Sequence, residues 1–552
     1  MGQAGGWRRA GAWVALATTV GCANDAEPLV GISAGGTGVS ASGGSTDTTG
    51  EPGTSTTGAA LDSATSTGSE NIFDVGQDPD VPTVDVCNAS RDGQSLDACS
   101  DTAPPDAFEP DVQWGWTGRE LTQSFVTPLV INLTDDDGNG AIDLCDTPDV
   151  VVVAAMDDLT AARIVVLSGD DGHEHFEIDV DVNFSVTPAV GDIDGDGLPE
   201  IVTAGGYYAS PNSLVAFSHE GALLWTSAAD PAFVDVGAVA LHDLDADGDV
   251  EILLGNAVFD HAGTLLWTVD ESPHPALSSL VTAADLDDDG DLEVVHGRSA
   301  YHHDGSVYYQ TDLMAGFPHV ADFDGDGAPE VVLTSDQGIS RIEADGTVAF
   351  GEQRPTGDPA DPLIWLKPAT VHDFDGDGLA ELATGSANHY AVYEIAQSGA
   401  SIVWQADVLD SSGSAGGTAF DFDGDGRAEA MYADETNFFV YDDVGGMLLS
   451  TSRESVTGVE YPVVADVDND GSAEIVIVSN TQDEGEPAVQ VVRDVQDRWI
   501  QARRVWNQHT YHVTNVHEDG TIPTVETPAW DGLNTFRTNA QIENGIVCEP
   551  EG

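Results

Sequence analysis

Basic residues are nearly missing from this chain: its 552 residues hold 16 Lys and Arg against 97 Asp and Glu, a formal charge of −81. Lysine occurs once, at Lys367. Such a surface repels phosphate backbones and anionic headgroups and attracts multivalent cations. Nucleic acid is thereby excluded as a partner, and no polybasic route to a membrane exists. Membrane-length apolar runs are lacking too, since the stretch from Gly11 to Val20, behind Arg8 and Arg9, is too short to cross a bilayer and reads as an export signal. Cysteine is scarce, five in all. No nucleophile elbow, phosphate-cradling glycine loop or zinc-protease helix is present, so no catalytic residue is assigned. A glycosidic carboxylate pair would be hidden by the abundance of Asp and Glu.

The first cysteine, Cys22, follows Thr19, Val20 and Gly21. That arrangement resembles a bacterial lipobox, with Thr19 where leucine is usual. Residues 1–22 are expected to be a signal peptide and Cys22 a lipidation site, with plain cleavage nearby as the alternative. A lipid tethers a chain without spanning the bilayer. Four cysteines then remain, an even number in an exported chain, which favours disulfides. Cys87 and Cys99 are close in sequence and are expected to pair, and a bond between Cys145 and Cys548 would clasp the ends of a circular fold. Spacing fixes no connectivity, so other pairings stay open. Residues 23–80, rich in Gly, Ser and Thr, form a spacer that cannot bury enough to fold. A cysteine-bearing lead-in occupies 81–124.

From 125 to 500 one unit recurs: an apolar run, an Asp/Gly loop, a second apolar run opening on Glu, then two more β-rich runs. The loops read DIDGDGLPEIV from Asp192, DLDADGDVEIL from Asp243, DLDDDGDLEVV from Asp285, DFDGDGAPEVV from Asp322, DFDGDGLAELA from Asp373, DFDGDGRAEAM from Asp421 and DVDNDGSAEIV from Asp466. Their first aspartates lie 51, 42, 37, 51, 48 and 45 residues apart. That length suits four short strands with turns, which is a propeller blade. With an upstream unit that carries a modified loop, an all-β propeller of about eight four-stranded blades is expected; seven is the alternative. Residues 501–552 close the chain.

Each loop carries Asp at positions one, three and five, Gly at six and Glu at nine. Carboxylates at alternate positions of a tight turn converge, and glycine permits the reversal. Oxygen-only, multiply anionic donors on a turn select Ca²⁺. The expected ligands are Asp192, Asp194, Asp196 and Glu200; Asp243, Asp245, Asp247 and Glu251; Asp285, Asp287, Asp289 and Glu293; Asp322, Asp324, Asp326 and Glu330; Asp373, Asp375, Asp377 and Glu381; Asp421, Asp423, Asp425 and Glu429; and Asp466, Asp468, Asp470 and Glu474. The first unit reads NLTDDDGNGAIDLCD from Asn132. Asp135, Asp137, Asn139 and Asp146 there match an EF-hand-type loop. The alternative keeps the blade register, with Asn132, Thr134 and Asp136 as the odd positions and Asp149 in the place of Glu. Seven or eight Ca²⁺ ions are expected, in a structural role.

With flanks such as AVGDIDGDGLPEIV and HVADFDGDGAPEVV, the loops resemble the FG-GAP and VCBS repeat families, whose relatives include the integrin alpha propeller. The resemblance spans about 125–493 and implies a β-propeller with calcium in its hairpins, often serving adhesion or ligand binding. Integrin-type Phe-Gly and Gly-Ala-Pro signatures are not evident. The leading expectation is a monomeric, non-enzymatic scaffold, secreted or displayed at the cell surface or outer membrane, that binds a protein or glycan. The alternative is a calcium-dependent carbohydrate-active enzyme, a polysaccharide lyase or glycoside hydrolase. Outside the loops, His509, His512 and His517 read as packed histidines beside Trp506 and Tyr511 rather than as a metal site, and His302 and His303 as weak candidates. Trp225, Trp267 and Trp404 read as blade-to-blade packing rather than a sugar-stacking stripe. The stretch RRVWNQHTYHVTNVHEDGTIP from Arg503, with Trp506, Asn507, Gln508 and His509, looks like a segment that ends other bacterial FG-GAP proteins.

Overall fold

The computed structural model describes residues 98–548 except 106, 207–212, 233, 235, 271–277, 361–363, 411–414, 454, 457 and 481–486. Cys22, Cys87 and the spacer lie outside the described residues. Val, Ile and Leu dominate the second and third runs of each unit, as in Asp149–Ala155 (DVVVVAA) and Glu474–Val478 (EIVIV), both buried throughout. β-branched side chains buried on both faces specify central strands.

Eight four-stranded antiparallel sheets result. The first blade runs Leu129–Ile131, Asp149–Ala155, Ala162–Ser168 and Glu174–Glu177, and the seventh Gly417–Phe420, Glu429–Ala433, Asn437–Tyr441 and Met447–Ser452. The eighth takes Val463–Ala465, Glu474–Val478 and Val489–Asp494 from the end of the repeats and its outermost strand, Pro110–Trp116, from the lead-in. The propeller thus extends upstream of residue 125, and main-chain pairing of Trp116 with Val489 and Pro110 with Asp494 closes the ring.

Blades pack through one repeated contact. The aromatic residue of a fourth strand lies on the turn glycine of the next blade: Trp225 on Gly263, Trp267 on Gly305, Tyr309 on Gly346, Trp404 on Gly445 and, across the closure, Trp114 on Gly172. A Cβ on Gly263 would stand 2.6 Å from the Trp225 ring, and that glycine has φ +76°. These tryptophans are packing residues, as expected.

Residues 500–548 do more than close the chain. They run along the inner strands of the ring and fill its centre. Trp506 exchanges both main-chain hydrogen bonds with Val130 of the first blade, and the Asn507 carbonyl accepts from Val190 of the second. The Gln508 side chain accepts from Leu241 in the third. Trp530 packs on the core shared by the fourth and fifth, where Asn534 also binds Asp322. Phe536 pairs with Val371 in the sixth, the Arg537 carbonyl accepts from Thr418 in the seventh, and Asn539 donates to Val464 in the eighth. Buried main-chain groups require partners, and the first, second, sixth and seventh blades provide them for this segment.

The disulfide pairing expected for Cys548 is corrected. Cys548 bonds Cys99, 449 residues away, with Cα atoms 5.1 Å apart, and Cys145 is itself disulfide-bonded. Neither the Cys87–Cys99 nor the Cys145–Cys548 pair forms. The terminal segment turns back beside the lead-in, where Ser100 and Asp101 donate to Glu543, and this places Cys99 rather than Cys145 within reach.

Candidate metal loops

Every loop is built by the same local chemistry. In the second blade, the Asp192 carboxylate accepts from the N–H groups of Gly195 at 2.8 Å, Asp196 at 3.2 Å and Gly197 at 2.9 Å, which folds the turn around the first aspartate. Gly197 has φ +88°, a region that glycine alone enters cheaply. The ninth-position Glu opens the second strand opposite the last residue of the first: Gly191 faces Glu200, Ala321 faces Glu330 and Ala465 faces Glu474. One of its oxygens accepts from the N–H of loop position two in all seven repeats, at 3.1 Å for Ile193 and 2.8–2.9 Å for Leu244, Leu286, Phe323, Phe374, Phe422 and Val467.

Oxygens of Asp322, Asp324, Asp326 and Glu330 lie within 4.8 Å of one another, as do those of Asp373, Asp375, Asp377 and Glu381. Asp192, Asp194 and Glu200 converge likewise, as do Asp243, Asp245 and Glu251. These acidic clusters can hold cations. Without an ion their charges oppose one another inside a partly dry site. Burial first, then the three aspartates, push Glu200 up to about 8 and Glu381 up to about 9. Burial drives Asp421 up to about 7, and Asp466 and Glu474 are raised well above the usual carboxylate range. Oxygens of Asp375, Glu381, Asp466 and Glu474 are buried with no hydrogen-bond donor. A buried anionic oxygen is costly without a partner. All-oxygen donors with vacant lone pairs fit a hard divalent cation such as Ca²⁺.

The first blade combines both registers considered for it. Asp135, Asp137 and Asp146 converge as in the EF-hand-type reading, with Asp146 accepting from Asp136, Asp137 and Asp143. Asn139 folds the same loop through its N–H, which donates to Asp135 and Asp137. Asp149 meanwhile faces Ile131 and accepts from Leu133 at 2.8 Å, the place and contact of the ninth-position Glu elsewhere. The acidic turn is therefore an insertion into an intact blade hairpin.

Several loops have an additional side chain that motif spacing did not reveal: in the eighth blade Gln501 donates to Asp466 at 2.9 Å and Gln113 to Asp468 at 2.6 Å. His302 meets Glu293 at 3.0 Å in the fourth blade, and Arg341 meets Asp324 at 2.6 Å and Glu330 at 2.9 Å in the fifth. The terminal histidines lie apart from these loops. His509 packs against Tyr461, while His512 and His242 both hydrogen-bond Glu526. Burial would raise Glu526, but the two imidazoles hold it down to about 2.

Residues 322–384 and 373–432 match the FG-GAP-like repeat. Among solved structures, the chain is similar to the V. cholerae biofilm matrix protein Bap1, at 21% identity and a TM-score of 0.66, over 80% of this chain and 100% of that one. It also resembles a rhamnogalacturonan lyase of Bacillus licheniformis, at 17% identity and TM-score 0.48, over 81% of this chain and 84% of that one. A third, a Pseudomonas putida quinohemoprotein alcohol dehydrogenase, shares 13% identity at TM-score 0.45, over 72% and 78%. No curated protein matches the chain. The likeness to Bap1, at 21% identity, speaks to fold alone, and one fold hosts unrelated functions.

Proposed function

We propose that this eight-bladed propeller with FG-GAP-like repeats is an extracellular, calcium-stabilised scaffold that binds a protein or glycan without turning it over. The axial segment carries the reading: residues 500–548 fill the centre of the ring, where a propeller enzyme would open its cleft. His509 and Arg537, the groups best suited to chemistry there, are completely buried. The acidic loops supply the calcium sites. Export through the signal segment, with Cys22 lipidated and residues 23–80 as a spacer, would present the ring away from the membrane, and the disulfides suit an oxidising compartment.

A rim concavity of about 350 Å³ is suited to a sugar, lined by Trp116, Arg119, Glu120, Arg163, Glu174 and Glu177. It offers an aromatic edge and both signs of charge on side chains that reach solvent, as glycan recognition requires. Polysaccharide arrays with and without calcium, followed by product analysis of every bound glycan, test the proposal. Reversible binding that weakens in Trp116→Ala and yields no new reducing ends or unsaturated sugars is expected. Release of such products would establish the lyase or hydrolase reading instead.

A further inference from the structure

The eight hairpins are near-copies, which makes one departure informative. The third-strand residue opposite the second position after the ninth-position acid is Val166, Ala216, Val258, Ala300, Val392, Val440 and Val491 in seven blades. In the fifth it is Arg341, opposite Val332. Its side chain is fully buried, and its guanidinium reaches Asp324 at 2.6 Å, Glu330 at 2.9 Å and Glu343 at 3.3 Å. One further N–H donates to the Ile395 carbonyl of the sixth blade at 3.2 Å. Asp324 and Glu330 are two of the four carboxylates that converge in that loop.

We infer that the fifth blade supplies its own cation, so that its loop takes calcium last and most weakly. This inference rests on the calcium reading of the other loops. Guanidinium carries a permanent charge and a fixed fork of donors. It occupies lone pairs on Asp324 and Glu330 that a calcium ion would need, and it repels any ion seated among them. The fourth blade differs, because its added side chain, His302, touches Glu293 alone among the loop carboxylates through one ring nitrogen and carries no permanent guanidinium charge. The molecule would therefore keep the fifth hairpin folded when calcium is short, anchored through Ile395 to its neighbour, while its other loops empty.

The test is a calcium titration of the stripped, full-length wild-type protein, followed by ion counting in native mass spectrometry and by crystal structures at limiting calcium. Calcium in the fifth loop is expected only after the other loops fill, at about tenfold or more higher free calcium, the scale of one adjacent like charge. Filling of the fifth loop together with the rest would overturn the inference and leave the calcium reading intact. A protein that bound no calcium in any loop would sink both. Arg341→Val, which installs the residue that five other blades use, and Arg341→Met, which keeps more of the buried volume, are both expected to bring the fifth loop to parity. Unchanged filling order in a folded variant contradicts the inference, and if neither variant folds, the wild-type filling order decides it.

Discussion

Glu526 shows how single residues tie the axial segment to the blades. Its side chain is largely covered, yet His242 from the third blade and His512 from the terminal segment keep it ionised. Its folded pKa of about 2 lies below the ordinary 4.5, so its contribution is complete above pH 4.5 and is lost as the pH falls toward 2. Glu526→Gln is expected to lower the melting temperature at pH 7, with the gap to wild type closing between pH 4.5 and 2 in thermal melts. A constant gap would show that the carboxylate charge is irrelevant. None of this was legible in the sequence. Glu526 stands 284 residues from His242, in one of the few stretches without a repeat to compare.

Within one hairpin, the loop carboxyls would titrate against a bound ion. Glu200 and Glu381, raised to about 8 and 9 by burial and neighbouring aspartates, carry protons at neutral pH in the ion-free loops. Calcium must displace those protons. Isothermal titration in buffers of different ionisation enthalpy is expected to show proton release at pH 7 and tighter calcium binding at pH 8 than at pH 6. The ion-free fold follows the opposite sign, since groups with raised pKa stabilise it below their unfolded values and cease to as the pH climbs through 8 to 9. At the turn glycines, Gly263→Val adds a Cβ clash with Trp225 to left-handed strain and should cost about 2–4 kcal/mol. Gly248→Ala, at φ +93° with nothing within 4 Å, should cost only about 1 kcal/mol from strain alone. Chemical denaturation measures both, and equal losses would remove the packing role assigned to the tryptophans.

Across the whole molecule, strand pairing and a disulfide keep the ring shut, and calcium in the hairpins would add to its stability. Chelation of calcium should lower the melting temperature, because ligand binding to the folded state alone stabilises it; an unmoved melt would leave the acidic loops without their ions. The Cys99–Cys548 bond fixes the end of the axial segment beside the lead-in that also supplies the outermost strand of the eighth blade. Cys548→Ser is expected to cost about 2–5 kcal/mol in denaturant melts, and to expose the centre of the ring to proteolysis before the blades are cut.

Local chemistry by itself determined the repeat unit, its four strands, the acidic turns and the ninth-position Glu, because each of these is set by residues within about 50 positions of one another and is repeated often enough to read. What closes the circle was decided in three dimensions. Pairing of Pro110–Trp116 with Val489–Asp494, the bond from Cys99 to Cys548 and the axial course of residues 500–548 join groups from 75 to 449 residues apart. No periodicity encodes such contacts. Arg341 belongs to the same class: its residue type is visible in the chain, but only the register of its strand aims a permanent positive charge at the carboxylates of a metal loop.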